Sequence, residues 1–246
     1  LTNPETYEVE IEVVKAQTYR NDPATLVQSI RTVIKYVLSG IQGTNFPCSY
    51  LEQNDALTSY MKVLYGKKIP NRRISPRDFV GPSSISLGLA NIAPPDPDSQ
   101  LPNIHMPYTV TDKADGIRKL LFIAPKGKVY LIDVNMKVQF TGVLCTDKAL
   151  FNTIIDGEHV LRNKHGLFIN QYLAFDLYYI GGKDIRGLPF ADAGEEGDDE
   201  SKSPQFRIMK LNQLTRGASW RPVVPTTAVL PMKIDVKAFY VSDGNA

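Results

Sequence analysis

The sequence predicts an α+β fold, with its helices gathered before residue 66 and its strands after residue 108. Asp22-Pro23 opens a stretch in which Leu26, Ile30, Val33, Ile34 and Val37 recur at helical spacing. From Tyr108 onward the chain carries runs of β-branched and aromatic residues instead. Between the two, residues 66–108 are rich in Pro, Gly and Ser and read as a linker leading into a new domain.

Each element has its own signal. Tyr7 to Val14 alternates, which places Glu8, Glu10 and Glu12 on one face of a strand and Val9, Ile11 and Val13 on the other. Asp22 is a good N-cap and Pro23 fits the first helical position; this helix fades near Gly40–Gly43. A second helix is expected at about residues 51–65, through Leu57, Tyr60, Met61 and Leu64. Strands are expected at 119–124, at 128–134 after the Lys126-Gly127 turn, and at 137–141, 153–160, 167–176 and 232–241. Arg207 to Leu214 reads as a short helix, and no internal repeat is present.

Composition narrows the class. The chain has 246 residues, enough for one large or two modest domains, and its 43% apolar and 22% charged content is ordinary for a globular protein. No run approaches the ~20 apolar residues of a membrane helix, and no secretion signal opens the chain. Cys48 and Cys145 lack metal-ligand spacing and read as free thiols of a reducing compartment; His105, His159 and His165 form no zinc pattern. Residues 192–200 hold six acids and no base, so with a net charge of +2 the remainder carries +8. That balance suits a polyanionic partner such as a nucleotide or RNA, and the acidic run reads as a solvated loop.

The segment with the most chemistry is Lys113-Ala114-Asp115-Gly116-Ile117-Arg118. A lysine amine is nucleophilic only when neutral, and burial or nearby cations promote that form. Such a lysine can attack the α-phosphate of a nucleoside triphosphate and hold the nucleotide as a phosphoramidate. Gly116 would allow close backbone approach to the nucleotide or a positive φ. Arg118 would donate its fork to ribose or phosphate oxygens, and Asp115 would fix the lysine or tie down the loop. Alone, the segment reads more simply as a surface Asp-Gly turn. Two others supply what the chemistry needs. Asp156-Gly157-Glu158 ends an apolar strand, and Glu158 can hold a ribose or a divalent metal. Gln171 to Tyr179 offers Phe175 to stack on a base, with Asp176 to bind metal or orient other groups.

In the order and spacing of these three segments the chain resembles the lysine-dependent covalent nucleotidyltransferases, which include mRNA-capping guanylyltransferases and ATP- or NAD-dependent ligases. Phe79-Val80-Gly81-Pro82 and Gly127 to Asp133 are similar to mRNA-capping enzymes of large cytoplasmic DNA viruses. The resemblance implies a mainly antiparallel β lobe of the ligase/capping type, unrelated to ATP-grasp. Before it would come the C-terminal strand and helices of a triphosphate-tunnel domain. The implied boundaries are 1–65 for the end of an RNA 5′-triphosphatase, 66–108 for the linker, and 109–246 for an incomplete guanylyltransferase lobe. Glu8, Glu10 and Glu12 would then form one metal-binding wall of the triphosphatase.

The implied reaction uses GTP and magnesium or manganese. Lys113 would become lysyl-GMP and pass GMP to the diphosphate 5′ end of RNA, with Arg118 and Glu158 on the ribose, Phe175 on guanine, and Asp115, Gly116 and Asp176 completing the nucleotide site. Two later motifs of the family, an acid-Gly strand and a strand with paired lysines, are not evident. The chain is therefore expected to be an internal piece of a longer polypeptide that carries an oligonucleotide-binding lobe and a methyltransferase. It is expected to act in the host cytoplasm, in viral factories, and in the virion, with no membrane partner. The rival readings are an ATP-dependent polynucleotide ligase and a catalytically incomplete RNA-binding scaffold.

Overall fold

A computed structural model describes residues 8–14, 22–94, 101–106, 108–191, 206–224 and 231–242. Tyr7 and the acidic run 192–200 lie outside them. The chain divides into two compact units, Leu1–Cys48 and Ser49–Ala246.

In the first unit, helix α1 (Pro23–Gln42) starts as its sequence dictates. Asp22 accepts a hydrogen bond from the Thr25 backbone N–H at 3.1 Å, and Pro23 takes the first turn. Gly43, at φ 61°, closes the helix in the left-handed conformation that favours glycine. The expected strand at 7–14 is corrected: residues 8–13 have no ladder partner, and Glu8, Glu10 and Glu12 are exposed. Alternation makes one face acidic, but a strand exists only through pairing, and none of the described strands pairs with this segment.

The second unit opens with α2 (Tyr50–Tyr65), capped by Ser49, whose hydroxyl accepts from the Glu52 N–H at 3.2 Å. It buries Ala56, Tyr60 and Met61. After it the chain forms a short 3-10 helix (Pro76–Asp78) and one helical turn, α3 (Leu89–Ile92). The strands follow: β1 (Tyr108–Val110), β2 (Ile117–Ile123), β3 (Lys128–Asp133), β4 (Val138–Cys145), β5 (Thr153–Arg162), β6 (Phe168–Ile180) and β7 (Lys183–Asp184). Helix α4 (Arg207–Gly217), β8 (Trp220–Pro222), β9 (Lys233–Val236) and β10 (Tyr240–Ser242) complete the set. Eight strands form one sheet in the order β7-β6-β5-β2-β3-β4-β8, with β9 parallel to β6 and every other pairing antiparallel. The single strand expected at 232–241 is two, because β9 joins β6 while β10 pairs with β1 in a separate two-stranded sheet.

Both faces of the sheet centre are covered, which explains the unbroken run Leu120-Leu121-Phe122-Ile123, each 0% exposed. On one face Leu121, Ile123, Leu131, Ile155 and Tyr172 pack with Leu211 and Leu214 of α4. On the other, Phe122 meets Tyr60 of α2 edge to face, with ring centroids 5.9 Å apart. Replacing Phe122 with Ala should cost about 3–5 kcal/mol, the range for deleting a fully buried aromatic. Urea unfolding should show this as a lower midpoint with an unchanged slope.

Candidate functional site

Strand pairing assembles the site. In the β2–β5 ladder Arg118 lies opposite Glu158 and Leu120 opposite Asp156. Directly paired residues share a face, so Arg118, Asp156 and Glu158 project together. The loop before β2 is tied to β5 by the Gly116 N–H, which donates to Glu158 Oε1 at 3.0 Å. A Cβ at Gly116 would stand 2.7 Å from the His159 carbonyl oxygen. Glycine is required here by close approach to β5, and its φ is not positive.

Asp156-Gly157 is a mid-strand pair rather than a turn. Gly157 lies against Tyr172, and a Cβ there would meet that ring and come within 2.7 Å of the Leu173 carbonyl oxygen. The Tyr172 hydroxyl reaches the carbonyl oxygens of Lys119 (2.9 Å) and Ile155 (3.1 Å), which locks β6 against the middle of β2 and β5.

The Asp156 carboxylate is fully buried and holds Arg118 through both oxygens, Nε at 3.2 Å and Nη2 at 2.5 Å. It also accepts from the Tyr178 hydroxyl at 2.6 Å. The carboxylate raises the Arg118 pKa further, and burial first, then the Asp156 charge, pushes the Tyr178 phenol up. Arg118 Nη1 donates to the Pro82 carbonyl oxygen at 2.6 Å, and its guanidinium carbon lies 5.5 Å from the Phe79 ring centre and 5.8 Å from that of Phe175. Arg118 is therefore a pin, its fork committed to Asp156 rather than free for a ribose or phosphate. Gly81 fits under this pin because a Cβ would collide with the guanidinium.

The 79–82 segment is itself fixed from α2. Tyr60 donates to the Asp78 carbonyl oxygen (2.8 Å) and accepts from the Val80 N–H (3.1 Å). The buried Asp78 carboxylate takes both guanidinium nitrogens of Arg72, at 2.7 and 2.8 Å, together with the Ser75 N–H and the Tyr65 hydroxyl.

Phe175 reaches the site through a β-bulge. Asp156 pairs with Asp176 and Gly157 with Ala174, so Phe175 is the extra residue on β6. A second bulge, between Ile154–Tyr179 and Ile155–Leu177, makes Tyr178 an extra residue in the same way. Asp176 goes elsewhere: its carboxylate grips Arg207 of α4, Oδ1 to Nε at 2.8 Å and Oδ2 to Nη2 at 3.0 Å. The expected metal or nucleotide role of Asp176 is corrected to that of an anchor for α4, because Asp176 does not line the cleft.

The result is a cleft of about 470 Å³. Lys113 and Ala114 line it from the loop before β2, Arg118 from β2, Glu158 from β5, Phe175 from β6, and Pro82, Ser83 and Ser84 from the segment after the 3-10 helix. Lys237 also lines it, positioned by its N–H donating to the Ala174 carbonyl oxygen at 2.9 Å, one residue from Phe175. Lys113 is exposed and has no hydrogen-bond or ion-pair partner among the described residues. Asp115 is exposed and likewise unpartnered, so it neither fixes the lysine nor ties the loop; Glu158 does the tying. A hollow of about 630 Å³ beside α4 is larger but contains none of the motif residues, so size does not select the site.

Lys237, Ser83 and Ser84 were not singled out from sequence. For Lys237 the signal is its place just after β9, legible only once β9 is known to pair with β6. As for a cation, no group of three or more His, Cys, Asp or Glu could hold one among the described residues. Glu158 is the carboxylate that lines the cleft, one oxygen on Gly116. That fits a hard cation held mainly by water and substrate phosphates, not a protein-built cage.

Behind the site, Lys119 reaches Gln139 Oε1 (3.0 Å) and His159 Nδ1 (3.1 Å), and His159 Nε2 meets Asn170 Oδ1 at 2.8 Å. Burial, foremost, lowers the pKa of both Lys119 and His159. His159 is thus held neutral in the fold but free to charge when unfolded, near the ordinary pKa of about 6.5. Its stabilising contribution is complete above that pH and is lost as pH falls below it. Thermal unfolding should show a decline on acidification from about pH 6.5 that His159→Gln reduces.

Fold and cleft together define an α+β domain whose motif-bearing hollow gathers a free amine, a carboxylate and an aromatic ring on an antiparallel sheet. Residues 59–218 match the family described as mRNA capping enzyme, catalytic domain, and the chain belongs to that family. It is similar to the probable mRNA-capping enzyme of Acanthamoeba polyphaga mimivirus, 28% identical over 186 residues, which cover 76% of this chain and 14% of that protein. It is also similar to the mRNA-capping enzyme of Danio rerio, 30% identical over 117 residues, 44% of this chain and 19% of that protein. The chain therefore matches less than a fifth of the length of either relative.

Proposed function

We propose that this chain carries the nucleotide-binding part of an mRNA-capping guanylyltransferase. The observation that carries the reading is the free Lys113 amine on a cleft whose other walls are the Glu158 carboxylate and the Phe175 ring. In this mechanism Lys113 Nζ attacks the α-phosphorus of GTP, the bond to the bridging oxygen breaks, and pyrophosphate leaves. The phosphoramidate then yields GMP to the terminal phosphate of diphosphate-ended RNA, and the lysine amine is regenerated.

The remaining roles follow from the chemistry of the cleft. Glu158 keeps an oxygen to accept a ribose hydroxyl, or to touch a magnesium or manganese ion. Phe175 offers a face for the base, and Lys237 brings a second cation toward the phosphates. A bound divalent cation would neutralise charge on the phosphates. Arg118 acts through Phe175 and the 79–82 segment, holding both walls in place. The same reading carries host cytoplasm as the place of action, and an oligonucleotide-binding lobe and a methyltransferase elsewhere in a longer polypeptide. It keeps Glu8, Glu10 and Glu12 as one wall of a triphosphatase metal site only if strands from such a polypeptide pair with that segment.

The test is the intact mass of the protein after exposure to GTP with magnesium or manganese, with the adduct mapped to a residue. A guanylate adduct on Lys113 is expected. An adenylate adduct from ATP but not GTP would make the chain a ligase instead, and no adduct from either would leave the scaffold reading.

A further inference from the structure

A second surface is built into the same segment that walls the cleft. From Lys62 to Arg77 the chain carries Lys62, Lys67, Lys68, Arg72, Arg73 and Arg77 and no acid. Lys62 lies in the last turn of α2, where a cation suits the helix dipole. Arg72 is committed to Asp78. That leaves Lys67, Lys68, Arg73 and Arg77, all exposed, whose side chains have no hydrogen-bond or ion-pair partner among the described residues.

Four unpaired cations on eleven residues repel one another, an arrangement that a bound polyanion relieves. The strap that bears them is fixed: Asp78 ties it to Arg72, Ser75 and Tyr65, and Tyr60 holds its end. It runs directly into Phe79–Ser84, the segment pinned by Arg118 at the cleft rim. Arg77 is five residues from Pro82, a span of at most about 18 Å. Tyr65, 36% exposed as a residue, adds an aromatic side chain to the strap, the kind of group on which a base stacks.

We propose that the strap Lys67–Arg77 is a docking surface for the sugar–phosphate backbone of single-stranded RNA, leading its 5′ end toward the cleft. This rests on the reading of the cleft as a guanylyltransferase site. An acidic protein segment would satisfy the charges too, but the polyanion that must reach the cleft is the RNA, and a partly exposed tyrosine suits a base.

The test uses the chain with Lys67, Lys68, Arg73 and Arg77 all replaced by Ala, keeping Arg72, beside a charge-conserving variant with Lys67→Arg, Lys68→Arg, Arg73→Lys and Arg77→Lys. Each is titrated with a 5′-diphosphate RNA oligomer over a range of salt, and with a polyglutamate peptide. Each is also incubated with GTP alone to form the lysine adduct. Each lost phosphate contact lowers the slope of log affinity against log salt by about 0.7. The alanine variant should therefore bind RNA at least roughly tenfold more weakly, with a slope shallower by about 2–3. Its adduct formation should match that of the parent, and the charge-conserving variant should bind RNA as the parent does.

Unchanged RNA affinity and slope in the alanine variant overturn the proposal. So does loss of polyglutamate binding with RNA binding intact, which assigns the strap to a protein partner. Absence of the adduct in the parent chain instead overturns the reading of the cleft, a result distinct from either.

Discussion

Lys113→Ala is expected to abolish the guanylate adduct, with a loss of at least about a thousandfold in the rate of label transfer from GTP. The expected loss is large because the residue supplies the attacking atom and no neighbour can substitute for it. Arg118 is pinned by Asp156 and Pro82. Lys237 lines the cleft from the end of β9, a different element from the loop that bears Lys113. Lys113→Arg should fail equally, since a guanidinium stays protonated and has no free electron pair. The fold should not suffer, because the side chain is exposed and bonds to nothing described; such substitutions stay within about 0.5 kcal/mol. Intact mass and a melting curve separate the two effects. An undiminished adduct in Lys113→Ala would move the nucleophile elsewhere.

Arg118→Ala is expected to be the most damaging of the site substitutions for stability. It leaves a fully buried Asp156 carboxylate with the Tyr178 hydroxyl in place of an ion pair. Stranding a buried charge costs about 3–5 kcal/mol, and the lower end applies because the Arg118 side chain is 29% exposed. Adduct formation should fall as well, because Phe175 and the 79–82 segment lose their common support. Arg118→Lys should recover little of either, since an ammonium cannot reproduce the fork. A destabilisation below about 1 kcal/mol in urea unfolding would argue against a stranded charge.

Local signals located most of the elements. The Asp22-Pro23 start of α1, the apolar spacing of α2 and the Leu120 to Ile123 run each depend on neighbours within a few residues, and all are found where expected. The acidic alternation of 8–13 failed for the opposite reason. Its strand character would have to come from a partner, which the segment itself cannot specify. Among the site residues, Lys113, Glu158 and Phe175 were legible as an amine, a carboxylate and a ring at suggestive spacing, and the cleft gathers all three. Asp176 looked equivalent to them in sequence, yet it faces Arg207. As neighbours on one strand Phe175 and Asp176 must face opposite ways, and which of the two meets the cleft is set by the β5–β6 pairing. The free fork expected of Arg118 failed in the same way, since its partner, Asp156, is thirty-eight residues away.

The sequence by itself determined the kinds of chemistry present: a lysine three residues before a glycine and five before an arginine, a carboxylate, and a stacking ring. Residue type and spacing suffice for that, because functional groups and helix or strand periodicity are local properties. The tertiary structure decided which groups remain available. Register set Arg118 against Asp156, the β5–β6 pairing put the Phe175 face of β6 on the cleft and the Asp176 face away from it, and β9 brought Lys237 to the cleft. Whether a polar side chain is committed or free depends on what long-range packing places within about 3 Å of it.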